Sequence, residues 1–102
     1  MDGTICLGRN IGTEPMDDDR WQTFVDEVQE LVSKHGGEVF TVAYGGGSWD
    51  GMSEESAVIV FGAAQDGFAA ELSVLASCYG QEAIGLLSGT SSLVYGDDAA
   101  MA

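Results

Sequence analysis

Residues 38–62 read EVFTVAYGGGSWDGMSEESAVIVFG, and the reading of the glycines in the middle decides the fold. A phosphate-binding loop presents backbone amides at the start of a helix and carries a Lys-Ser or Lys-Thr pair. Neither is present. SAVIVFG (56–62) follows the glycines and EVFTVAY (38–44) precedes them, and both are rich in β-branched and aromatic residues. The stretch is therefore expected to be a mobile hairpin loop between two strands, with glycines supplying positive φ. Trp49 is not explained by a loop. It either folds back on the sheet edge or awaits a partner, because Trp is enriched at binding hot spots.

Upstream lies DDDRWQTFVDEVQELVSKHGG (17–37). Its apolar residues are Trp21, Phe24, Val25, Val28, Leu31 and Val32, with polar residues between them, which is the spacing of an amphipathic helix. Asp17 is placed to cap the first amides, and Asp18 and Asp19 oppose the helix dipole. Met16 and Trp21 are spaced as a hydrophobic staple. Lys34 and His35 close the last turn and Gly36 follows as a stop. Capping accounts for the triple aspartate without a metal, whose ligands must converge on one point.

Further outward, TICLGR (4–9) reads as a strand and NIGTEPMDDD (10–19) as punctuation around Gly12 and Pro15. AQDGFAAELSVLASCYGQ (64–81) gives a second helix, with Phe68, Leu72, Leu75 and Tyr79 in a stripe and Gly80 as its stop. EAIGLLSG (82–89) is the last strand, with TSSLVY (90–95) as a candidate continuation. Residues 1–3 and 96–102 are expected to fray. The order β-α-β-β-α-β predicts one α+β domain over 1–102. Its form is the ferredoxin-like sandwich: a four-stranded antiparallel sheet, two helices on one face, expected strand order 4-1-3-2.

In such a sheet the face away from the helices is normally polar. Here Ala57, Ile59 and Phe61 alternate with Val58 and Val60, Val39 alternates with Phe40, Val42 and Tyr44, and Leu87 alternates with Ile84 and Leu86. Both faces read as apolar, so something must cover the second one. A twofold-related copy is the simplest cover, and Val58, Val60, Phe40 and Val42 are the expected dimer face. Paired sheets also enclose a pocket. The alternative cover is the tail or a long hairpin.

The chain of 102 residues carries 17 acids against Arg9, Arg20 and Lys34, for a net charge of −14. Such a chain repels nucleic-acid backbones and anionic membrane surfaces. No apolar run is long enough to span a bilayer and no export signal is visible, so a cytoplasmic location is expected. The acidity has three readings: solubility, docking to a basic partner (imitation of nucleic acid included), and a metal site. Cys6 and Cys78 lack the density or spacing of a staple framework and read as reduced thiols. His35, alone at a helix end, makes neither a transition-metal site nor a triad. Adjacent Glu54 and Glu55 face opposite ways on a strand and suit acid–base work poorly. Arg9, at a strand end beside Asn10, either binds an anion at the sheet edge or pairs with Glu14 or the nearby aspartates.

LGRNIG (7–12), WQTFVDEV (21–28), TVAYGGGSWDG (41–51) and EESAVIVFG (54–62) together resemble a family of short bacterial and phage-encoded proteins. Those have a strand ending Gly-Arg, a helix opening Trp-x-x-Phe and a Gly-x-x-Trp hairpin. The resemblance spans roughly residues 5–62. It implies ferredoxin-like dimers and a phage origin, and supplies no catalytic residue.

These readings lead to a small acidic, non-enzymatic interaction protein. It is expected to be a homodimer that binds a basic host protein, as a nucleic-acid mimic or an inhibitor of host defence. Trp49, Asp50, Tyr44, Arg9 and Asn10 are its candidate binding residues, and no cofactor, metal or catalytic residue is expected. The alternative is a small-ligand binder or cofactor-free enzyme built like the dimeric α+β barrels, with a pocket between paired sheets.

Overall fold

The computed structural model describes residues 1–96, the Trp49 side chain excepted; the acidic tail expected to fray lies outside it beyond residue 96. The best-encoded element, α1 (Asp18–Lys34), begins as its sequence dictates. The Asp17 carboxylate accepts from the Arg20 amide at 2.8 Å, and Asp18 and Asp19 occupy the first turn. The helix ends on His35, and Gly36 turns away at φ +77°, a left-handed value that glycine adopts without strain.

Around α1 the chain forms β1 (Asp2–Gly8), the short β2 (Asn10–Ile11) and β3 (Glu14–Pro15), β4 (Glu38–Trp49), β5 (Met52–Gly62), α2 (Phe68–Cys78) and β6 (Gly85–Gly89). The fold is α+β. The long strands make one antiparallel sheet in the order β4-β5-β1-β6, while β2 and β3 pair separately. β1 starts at Asp2, within the stretch expected to fray, because Asp2 and Gly3 pair with Gly89 and Ser88. The β2–β3 ribbon replaces the expected punctuation. Gly12, at φ +62°, reverses the chain, and the Met16 amide closes the ribbon on the Arg9 carbonyl at 3.0 Å. β6 starts three residues later than expected. Gln81 is drawn into the end of α2, its amide donating to the Ala76 carbonyl and its side chain to the Asn10 carbonyl.

The glycine stretch is not a loop. β4 runs straight through Gly45, Gly46 and Gly47 in register with Ser56, Glu55 and Glu54, as far as Trp49 opposite Met52. The reversal is made by two residues only, Asp50 at φ 50° and Gly51 at φ 77°. Paired positive φ values are the tight turn whose twist matches a hairpin, and Asp-Gly is a preferred sequence for it. Gly51 supplies the positive φ expected of the stretch; Gly45, Gly46 and Gly47 do not, and instead leave the middle of a long, narrow hairpin without side chains.

The core forms between the helices and one sheet face. Ile5, Leu7, Ala57, Ile59 and Phe61 from β1 and β5 pack with Trp21, Phe24, Val25, Val28 and Val32 of α1 and with Phe68 and Leu72 of α2. Phe61 and Phe68 lie 5.2 Å apart between centroids, and Phe24 stacks on Tyr79 at 4.5 Å. Burial of each such side chain contributes about 1.5–3 kcal/mol, so the core outweighs any single cap. The cap still registers. Asp17→Ala is expected to cost about 1 kcal/mol and to lower the melting temperature by about 4–8 °C, read by thermal unfolding followed by circular dichroism.

Candidate functional site

Which side chains the sheet leaves uncovered is set by one irregularity. The β4–β5 register slips between Val39 and Thr41, placing an extra residue, Phe40, in β4. Val39 faces the core opposite Phe61, and after the slip Val42 does so opposite Ile59. Val42, expected on the open face, is therefore packed against the core. Tyr44 follows it to the helix side, where its hydroxyl lies 3.3 Å from the Gln22 amide of α1. Strict alternation could not anticipate this, because a bulge inverts every residue beyond it.

Phe40 itself swings to the open face. A side chain at Gly62 would meet its ring at 2.8 Å, so the ring lies over bare backbone. With it on that face are Val58 and Val60 of β5, Thr4 and Cys6 of β1, Thr41 and Ala43 of β4, and Leu87 of β6. Phe40 is 59 % and Leu87 69 % exposed, values typical of charged residues rather than of Phe and Leu. Among the described residues the segment after β6 does not cover them, since Leu93, Val94 and Tyr95 are themselves in solvent. Charge on this face is confined to its ends. Asp2, at one end, accepts from the Ala63 amide at 2.9 Å and the Ser91 hydroxyl at 2.8 Å, and these bonds hold its carboxyl below its ordinary value. Glu54, at the other, accepts from the Asn10 amide at 3.0 Å.

A cleft of about 660 Å³ opens at the Glu54 end. Its walls are the hairpin arm (Gly47, Ser48, Asp50), the sheet face (Cys6, Ser56) and the loop after α2. Asn10 and Asp50 meet here, as candidates from the sequence; Arg9 and Tyr44 do not. Trp49 has its backbone in the hairpin ladder, and its side chain lies outside the described residues. Ser56 was not named from sequence, Glu54 was weighed there only as half of an acid–base pair, and Leu87 only as part of the alternation of the last strand. Only the open-face register reveals them.

Arg9 is committed internally. Its guanidinium donates to the Met16 carbonyl at 2.7 Å, to Glu55 at 2.7 Å and to Asp18 at 2.6 Å, so it pairs, though not with Glu14. Asp18 first, and then Glu55, raise its pKa. Each of the three guanidinium nitrogens donates to a different partner, two of them carboxylates, so the side chain acts as a clamp whose charge is answered within the protein. His35 is likewise engaged: its Nε2 lies 2.9 Å from Glu71, which Lys34 approaches at 3.2 Å, and its ring meets Phe68 edge-on. Both cysteines are free and exposed. Among the described residues no three His, Cys, Asp or Glu side chains are grouped to hold a metal, and no helix is long and apolar enough to cross a membrane. Comparison with known proteins finds no match: no family model, no curated protein and no solved structure is similar to this chain.

The Glu71 corner gives a pH-dependent signature. Hydrogen bonding from His35, and secondly from Lys34, holds the Glu71 carboxyl below its ordinary 4.5. A depressed carboxyl pKa stabilises the fold above the ordinary value, and the contribution is lost as pH falls through the folded one. The stability difference between the native chain and Glu71→Gln is therefore expected to shrink as urea unfolding is repeated from neutral pH to below 4.5. A difference constant with pH would count against the ion-paired corner.

Proposed function

We propose that the chain is a ferredoxin-like, non-enzymatic interaction protein that associates with a second copy through its open sheet face and uses its acidity to bind a basic protein. The fold reading rests on the long strands. In chain order they are β1, β4, β5 and β6, and crossing the sheet from its β6 edge meets the fourth, first, third and second of them (β6, β1, β5, β4), with the β2–β3 ribbon as an insertion before α1. A host protein as the basic partner is what the resemblance of residues 5–62 to phage-encoded proteins suggests.

One observation carries self-association. In a chain with net charge −14, the middle of the open face is free of charge and displays Phe40, Val58, Val60 and Leu87. A partner for that patch must itself be apolar, and a twofold-related copy offers a matching surface. The rest of the protomer resists association, because two strongly acidic bodies repel. Salt screens that repulsion while leaving apolar burial intact.

A second reading has its own observation. The cleft beside Cys6, Ser56 and Glu54 is large enough for a small molecule, as a ligand binder or cofactor-free enzyme would need. Thermal shift against a metabolite panel separates the two, since ligand binding raises the melting temperature in proportion to occupancy.

Sedimentation equilibrium tests the first reading. The native chain is expected to be a dimer that tightens between low and high salt, and Leu87→Lys to weaken it by about tenfold or more. A native chain that stays at 10.6 kDa across both salts would remove the proposal. Thiol alkylation adds a residue-level readout. In a Cys78→Ser background, Cys6 is expected to react more slowly as protein concentration rises, because the dimer covers β1.

A further inference from the structure

We infer that the groove between α1 and α2, on the layer opposite the open sheet face, is the docking site for a basic amphipathic helix of a partner protein. This inference takes the basic partner from the proposed function and is independent of self-association.

Each helix contributes one face. α1 supplies Glu27, Glu30, Leu31 and Lys34, and α2 supplies Glu71, Val74, Leu75 and Cys78, so both follow the i, i+3, i+4, i+7 spacing. The space between them is about 640 Å³. Leu31 and Leu75 lie on the core below and form the floor, and the exposed Cys78 lines one side. Val74 stands at the centre, 64 % exposed. A β-branched apolar residue in solvent on a short helix carries neither a propensity nor a packing advantage.

The rim carries three carboxylates against one cation, Lys34, and Glu27 and Glu71 are held in place. Glu27 accepts from the Tyr79 hydroxyl at 2.8 Å. Glu71 is fixed by His35 and Lys34, which bind it from the helix end. Glu30 is exposed beside Leu31. An apolar trough with carboxylates along it matches one kind of ligand: a helix with apolar residues on one side and Lys or Arg flanking them. A second copy of this chain is excluded as the occupant, because its own helices present acids to the same rim. The sheet face lies on the far side of the core and leaves the groove accessible.

The test uses the full chain and a leucine–lysine peptide of about four helical turns, titrated by fluorescence anisotropy. A scrambled peptide of the same composition, without the apolar face, is the control. The amphipathic peptide is expected to bind at least about tenfold tighter than the scrambled one. Val74→Asp is expected to weaken it by about tenfold, although the substitution makes the protein more acidic, whereas Ser73→Asp, adjacent on α2 but outside the groove, leaves affinity unchanged. Glu30→Gln is expected to lower affinity a few-fold and flatten the salt dependence. Equal binding of the two peptides, or equal affinities of Val74→Asp and Ser73→Asp, overturns the groove as the site while leaving charge-driven docking intact. No binding of either peptide overturns the basic-partner reading as well. Sedimentation of the same samples reports the sheet-face dimer separately.

Discussion

A single extra residue in β4 decides how the two faces of the sheet are divided. A strand without a bulge would put Val42 and Tyr44 with Phe40, on the side the helices leave open. With Phe40 inserted, Val39 and Val42 both reach the core and β4 becomes a productive edge of it. The inserted residue is displaced outward, and its ring has somewhere to lie because Gly62 on the neighbouring strand has no side chain. The bulge therefore completes the core and places a large apolar ring on the open face. Bulges at sheet edges also interrupt the ladder that another strand would extend. Contact through the face is thereby favoured over contact through the β4 edge.

The scarcity of cations imposes a second constraint. With 17 acids and three bases, self-repulsion opposes compaction at every junction. Each base stands where elements meet. Arg9 ties the end of β1 to the start of α1 and to β5. Arg20 lies over the Tyr79 ring, 5.3 Å from its centroid, joining α1 to the end of α2. Lys34 joins the far end of α1 to Glu71 near the start of α2. Exposed ion pairs contribute little each, so their value here lies in placement: they remove like-charge contacts where acidic elements converge. Tyr79, between Phe24 and Arg20, shows the opposite effect. Burial first, and then Glu27, push its hydroxyl up to about 12, so it stays a neutral donor to that carboxylate.

These constraints also explain which parts of the structure are legible in the sequence. α1 is readable to its caps, because its periodicity, Asp17 and Gly36 are local signals that tertiary packing does not contest. The alternation of β5 is readable for the same reason. The fate of Val42 is not, since nothing within EVFTVAY marks Phe40 as the inserted residue; the slip is specified by Gly62 and by the core. The hairpin is legible only in part. Asp50-Gly51 is a turn signal in its own right, yet the glycines beside it carry stronger loop statistics, and pairing with Glu54, Glu55 and Ser56 overrides them. Arg9 was legible as a choice between pairing and anion binding. Its partners, one on the following helix and one on a strand nearly half the chain away, required the fold.

The uncovered sheet face and the helix groove lie on opposite sides of the core, and that arrangement has a consequence for binding. In a sheet-to-sheet pair both grooves point outward, and neither is altered by the association that joins the protomers. A target with two basic helices, or an oligomeric one, would then engage both grooves, and its second contact would occur at the effective concentration fixed by the pair's geometry. Salt would act on the two proposed contacts in opposite directions. It would screen the repulsion between acidic protomers and strengthen the pair, while weakening attraction between the carboxylate rim and a cationic helix. If the proposed pair and its cationic target both form, avidity would therefore pass through a maximum at intermediate ionic strength, a behaviour that neither a monomeric acidic decoy nor a purely apolar dimer would produce.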